Sequence, residues 1–225
     1  MLAQRLGLSI NSTRPLGAWS PDDEASLVAW YQNKEGITLN GSDVSAWADS
    51  STNSFDMVQA TVSEQPAYNS GDIDFTSANT TNLQAASDIT LSGAFTVGIK
   101  LEPDVSNVAV MGSNTTTNEF FKITSTTNLR FKTDGSQVDM TIDSGTLITA
   151  LNLVITRNSS DLITIYLDGV AQADTETLAG TADINAIGVR ATDANPFDGT
   201  ISEIQIYDTE STALTANVST YLSNI

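Results

Sequence analysis

The sequence predicts an all-β, antiparallel sandwich. Three observations carry this. From residue 94 onward apolar and polar residues alternate with a period of two: in Ala94–Leu101, Phe95, Val97, Ile99 and Leu101 share one face, and Ala94, Thr96, Gly98 and Lys100 the other. Clusters of Gly, Asn, Asp and Ser punctuate the chain at short intervals. Lys supplies only four residues, too few for helices laced with Glu–Lys pairs. A length of 225 residues suits one sandwich, and a 40% hydrophobic content supports a folded core.

The elements follow in order. Residues 1–20 read as an extended N-terminal docking arm: the first 19 carry Arg5 and Arg14 and no acid, whereas the rest holds seven basic and 27 acidic residues. Arg14-Pro15 and Leu16-Gly17 are poor continuations of helix or strand. Residues 21–225 form the sandwich. Ser20-Pro21 can cap a helix, but Leu27–Tyr31 reads better as a turn followed by a strand. Further strands are expected at Asn107–Gly112, Glu119–Thr124, Asn128–Thr133, Gln137–Ile142, Thr149–Arg157, Asp161–Asp168, Asn185–Arg190 and Thr200–Tyr207. Asn158-Ser159-Ser160 and Asp168-Gly169 are hairpin connections. A short C-terminal helix closes the chain, with Thr215 as its cap and Val218, Tyr221, Leu222 and Ile225 on one face.

Composition excludes much chemistry. The chain has no Cys and no His, so it lacks disulfides, thiolate or imidazole metal ligands, and the Ser-His-Asp arrangement. A net charge of −18 argues against nucleic acid and anionic membrane as partners. No apolar run is long enough to span a bilayer, and the N-terminus lacks the continuous apolar core of a signal peptide.

The string DLITIYLDG at Asp161–Gly169, then Ile187-Gly188, FDGTISEIQIY at Phe197–Tyr207 and the closing LTANVSTYL resemble the C-terminal half of the concanavalin A-like lectin/glucanase superfamily, specifically its laminin-G-like jelly rolls. Val44–Asp49, Gln65-Pro66-Ala67-Tyr68 and Asp74-Phe75-Thr76 resemble the N-terminal half less specifically. The resemblance covers about residues 25–225. It implies a concanavalin A-like jelly roll and leaves function open, because the superfamily hosts hydrolases, lectins, adhesion modules and virion structural proteins. Domains with an unusual arm and no catalytic residues are similar to structural proteins of tailed phages.

Each chemistry was weighed on its residues. Glycoside hydrolysis needs two carboxylates across a sugar. Alternation puts Glu203, Gln205 and Tyr207 on one face and Asp208 on the other, so the acidic pair is missing and no enzyme is expected. Among metals, the donor set leaves only calcium, at Asp-rich loops such as Asp193 and Asp198, although most such Asp residues are turn formers. For sugars, Trp30 and Trp47 are expected in the core, while Trp19 sits at the arm's junction. The leading expectation is a non-enzymatic virion structural protein, such as a capsid decoration or cement subunit, present in many copies or as a homo-oligomer on the particle. Leu2, Arg5, Leu6, Leu8, Ile10, Arg14, Leu16 and Trp19 would dock the arm on the capsid shell. The alternative is a lectin-like adhesin that binds host-surface glycans through Asp193 and Asp198, with or without calcium.

Overall fold

The computed structural model describes residues 18–225 except Glu119 and Thr192. The arm residues Leu2, Arg5, Leu6, Leu8, Ile10, Arg14 and Leu16 lie outside the described residues. Seventeen strands and one helix follow in order: β1 (Leu27–Tyr31), β2 (Ile37–Asn40), β3 (Asp43–Trp47), β4 (Met57–Val58), β5 (Ala67–Asn69), β6 (Asp72–Phe75), β7 (Leu83–Leu91), β8 (Phe95–Pro103), β9 (Val108–Gly112), β10 (Phe120–Ile123), β11 (Asn128–Thr133), β12 (Ser136–Thr141), β13 (Leu151–Arg157), β14 (Leu162–Leu167), β15 (Val170–Thr177), β16 (Ala182–Ile187), β17 (Gly199–Tyr207) and α1 (Thr212–Ser223).

The strands form two antiparallel layers. One runs β15–β14–β13–β8–β17, and β17 shares its far edge between β6 and β1. The other runs β12–β11–β10–β9–β16–β7–β4–β3–β2. β5 bridges β3 to β6 and so links the layers. The core lies between them. Val97, Ile99, Ile155, Ile163, Ile204 and Ile206 meet Val110, Phe121, Ile123, Phe131 and Ile184, all buried. Phe121 and Phe131 stack with ring centroids 5.2 Å apart.

Buried Arg157 fastens one end of the sandwich. Its guanidinium donates to the carbonyls of Gly93 (2.7 Å), Gly180 (2.7 Å), Leu91 (3.2 Å) and Leu178 (3.3 Å). Asp49 organises a turn in the same manner: it accepts from the backbone N–H of Trp30, Ser51 and Phe55.

Several expectations shift. The strand expected at Asn185–Arg190 is β16, three residues earlier, because Gly188 at φ +85° turns the chain away. Of the Val44–Asp49 segment, Val44–Trp47 lies in β3. The helix cap is Ser211, whose Oγ accepts from the Leu214 N–H at 3.1 Å; Thr215 lies a turn inside, buried, its hydroxyl donating to the Ser211 carbonyl. Ile225 is exposed beyond the helix. Trp19 and Ser20 pack on the sandwich, Trp19 edge-to-face with Tyr221 at 6.0 Å and bonded to Glu24 through its indole N–H at 2.9 Å. The arm reading therefore stops short of Trp19, whose ring is occupied within its own chain.

Helix α1 lies across the outer face of β8, β13 and β17. Leu214, Val218 and Leu222 bury against Val154 and Tyr207. The approach requires Gly98, where an added Cβ would stand 2.4 Å from Val218 Cγ1. Gly98→Val is expected to cost about 1–3 kcal/mol through overpacking, read as a lower urea midpoint. Val218→Ala in the same chain should recover part of the loss; no recovery would show that the helix does not press on Gly98.

Candidate functional site

The two outer faces of the sandwich differ. On the helix-covered face, cross-strand rows are set by register: Glu203 faces Lys100 and Asn152, and Gln205 faces Gly98 and Val154. Glu203 is fully buried. Its oxygens accept from the Trp30 indole N–H, the Asn33 backbone N–H and the Gln205 amide at 3.1 Å. Gln205 in turn accepts from the Tyr207 hydroxyl at 2.9 Å. Burial pushes the Glu203 carboxyl up to about 7, against the pull of Trp30, Asn33, Gln205 and Lys100. The Lys100 ammonium donates to the carbonyls of Leu222 (3.3 Å) and Ile225, at the helix's negative end. Trp30 is buried, as expected, and it packs beneath α1, edge-to-face with Tyr221 at 6.3 Å. Both Glu203 oxygens are taken by protein donors; the row runs on through Lys100 and Asn152 to Asp168, whose carboxylate accepts from the Asn152 backbone N–H (2.9 Å) and side-chain amide (3.2 Å).

Asp193 and Asp198 do not converge. Asp193 is exposed beside Asn114, past the end of β9, and its N–H donates to Asn114 Oδ1 at 3.4 Å. Asp198 lies before the start of β9. Its backbone carbonyl accepts from the Asp104 N–H at 2.9 Å, and its carboxylate from the Ser77 hydroxyl and N–H. Asp74 sits nearby; partial burial, then Asp104 and Asp198, raise its carboxyl above the usual range. Among the described residues no group of three or more His, Cys, Asp or Glu is placed to hold a metal ion. The residues do not fit a calcium site.

The other outer face, on β9–β12, collects positive charge. One cross-strand row is Ala109, Lys122, Arg130 and Asp139; the next is Gly112, Phe120, Lys132 and Gln137. Small residues on β9 leave room for the loop at 188–198, which bonds to β9 through Ala109 N–H to the Asn195 carbonyl (2.8 Å) and Gly188 N–H to the Val110 carbonyl (2.9 Å). Arg190 reaches from this loop over the Phe120 ring, 4.8 Å from its centroid, and donates from Nε to Asn195 Oδ1 at 2.9 Å. The Lys132 ammonium approaches the same ring at 5.9 Å. Arg130 makes a two-pronged ion pair with Asp139, at 2.6 and 2.7 Å. Lys122 is only 7% exposed, and no acceptor among the described residues reaches its ammonium. Burial, then Arg190 and Arg130, hold it below the usual lysine range.

The family model described as the concanavalin A-like lectin/glucanases superfamily (Laminin_G_3) matches residues 75–217. The chain belongs to this superfamily. Among solved structures, the binding domain of botulinum neurotoxin DC is similar in complex with rat synaptotagmin II (TM-score 0.60) and with SialylT (TM-score 0.55), each 14% identical and covering 91% of this chain and 52% of that one. The Trypanosoma rangeli sialidase is similar over 89% of this chain and 33% of that chain, at TM-score 0.55 and 14% identity. The chain thus spans about half of the neurotoxin domain and a third of the sialidase. No protein of curated function matches the sequence significantly.

Within this superfamily fold, sequence reading missed the cationic face. Lys122, Arg130, Lys132 and Arg190 sit in three separate segments, and only the strand register joins them. Alternation around Phe121, Ile123, Leu129 and Phe131 does put the cations opposite the core, and that signal was available.

Glu203 yields a prediction. Its folded-state value near 7 exceeds its free value of 4.5, so the folded state holds the proton between these limits. Its contribution is therefore most favourable below about pH 4.5 and is lost as pH rises toward 7, by roughly 3 kcal/mol. Urea unfolding of Glu203→Gln against wild type at pH 4.5 and pH 8 should shift in the variant's favour by about that much. An unchanged difference would contradict the assignment.

Proposed function

We propose that the chain is a non-enzymatic, lectin-like binding module, and that it recognises its ligand on the outer face of β11 and β12, beside Arg190. One observation carries this. The outer face of β8, β13 and β17 is sealed by α1, with Gly98, Val154, Gln205 and Tyr207 buried, whereas Arg130, Lys132, Gln137 and Asp139 on β11 and β12 reach solvent. A recognition surface needs accessible polar groups on a rigid support, and β11 and β12 offer them in adjacent rows. The occupied oxygens of Glu203 speak against hydrolysis there. The neurotoxin domain's complexes with SialylT and rat synaptotagmin II support a binding role for a module of this shape.

The particle-surface reading, with its virion location and capsid partner, stands on the arm at residues 1–20, on the acidic body and on the chemistry that the composition excludes; its arm residues through Leu16 fall within 1–17. Those lie outside the described residues, and the geometry of 18–225 favours the binding module.

An array of glycans probed with the purified chain tests the proposal. Lys132→Glu on the open face should abolish the signal, and Thr220→Glu on the exposed side of α1 should leave it unchanged. A chelator should also leave it unchanged, since Asp193 and Asp198 sit apart. No signal on any glycan, or loss only with Thr220→Glu, would overturn the proposal.

A further inference from the structure

We propose that the cationic cluster of Lys122, Arg130, Lys132 and Arg190 around Phe120 is an anion-recognition site, which takes the carboxylate or sulfate ester of a short acidic sugar. The sugar rests on the lectin-like reading above; the anion rests on the side chains alone.

Removing an ammonium from water without a counter-charge is strongly unfavourable, and two neighbouring guanidinium groups make it worse. Lys122 bears part of that cost: its stem is buried at 7% exposure, and its ammonium stands at the solvent boundary crowded by Arg190 and Arg130, in a chain with 27 acidic residues to choose from. Four of the seven basic residues beyond position 17 gather here: Lys122, Arg130, Lys132 and Arg190. Asp139 pairs with Arg130 alone. A purely structural role gives no reason for the lysine, because Met fills the same space without a charge. An anion bound from solvent supplies the missing counter-charge to Lys122 and Arg190 together.

The surroundings set the ligand's size. Cations occupy β10, β11 and the 188–198 loop. Asp139 on β12 pairs with Arg130 at one side of the patch, and exposed Asp193 lies in the same loop as Arg190. Strands lie about 4.8 Å apart, so the positive zone spans roughly 10 Å. Beyond it, the acidic body of the chain repels further negative charge. A long polyanion is therefore disfavoured, and one acidic sugar with neutral neighbours fits. Arg130 is already forked onto Asp139, whereas Arg190, engaged by Asn195 through Nε alone, keeps its two terminal nitrogens for planar, two-pronged contact with a carboxylate or sulfate.

Titration calorimetry on the full chain tests this, with inorganic sulfate, a carboxylate-bearing oligosaccharide, a sulfated oligosaccharide and their neutral counterparts as probes. Either acidic sugar should bind at least about tenfold more tightly than its neutral counterpart, and the stronger of the two identifies the group. Lys122→Met should weaken acidic-sugar binding by about thirtyfold or more. The same variant should raise the melting temperature, because it removes a partly desolvated charge crowded by Arg190 and Arg130. Weakened binding with a lowered melting temperature would point to damaged folding and would overturn the argument, as would equal binding of acidic and neutral sugars or unchanged binding by Lys122→Met. Sulfate bound through Lys122 with no sugar bound at all would sink the lectin-like reading and keep the anion site.

Discussion

The missing side chain at Gly98 sets the asymmetry of the whole molecule. It lets Val218 come within contact of the β8 backbone, so α1 lies flat on one layer. Once the helix is down, β17 is buried on both faces, and polar groups that would otherwise meet water must find partners among themselves. Glu203, Gln205, Tyr207 and Trp30 do so in a hydrogen-bonded chain, and Lys100 reaches the carbonyls at the helix's C-terminal end. Such a layer is stable only when every member is satisfied. It is a sealed structural seam, which is why a carboxylate on a strand that resembles a glucanase strand has no free oxygen.

The second layer has no helix over its outer face. There the register brings cations from β10 and β11 into adjacent rows, and the 188–198 loop adds Arg190 above them. Phe120 lies between two positive groups, an arrangement that holds the side chains in place through their attraction to the ring face. The acidic character of the rest of the chain sharpens the contrast. A local positive field on a strongly negative body selects for charge and for size together.

Much of this fold was legible in the sequence, for physical reasons that differ by element. The alternation in β8 and in the strands from β9 to β14 announces one buried face, and Asp168-Gly169 adopts the left-handed turn its residues favour. β7 was hidden because Ser87 and Asp88 interrupt its apolar pattern and the pairing slips between Ile184 and Ala186. The short strands from β2 to β6 carry too few residues for a period to show. The cap fell to Ser211 instead of Thr215 because both hydroxyls precede apolar residues, and the choice depends on where Leu214 packs. The candidate site was the least legible part. Asp193 and Asp198 drew notice as acids in loops, whereas the cations that meet in space are scattered along the chain.

The chain has four lysines, Lys34, Lys100, Lys122 and Lys132, which makes one spectroscopic measurement decisive. With lysine labelled at its ε-carbon, an NMR titration with an acidic oligosaccharide follows all four at once. The account predicts that the Lys122 and Lys132 signals move together and saturate, while Lys34 and Lys100 stay in place. Movement of Lys34 or Lys100 with Lys122 unmoved would contradict it.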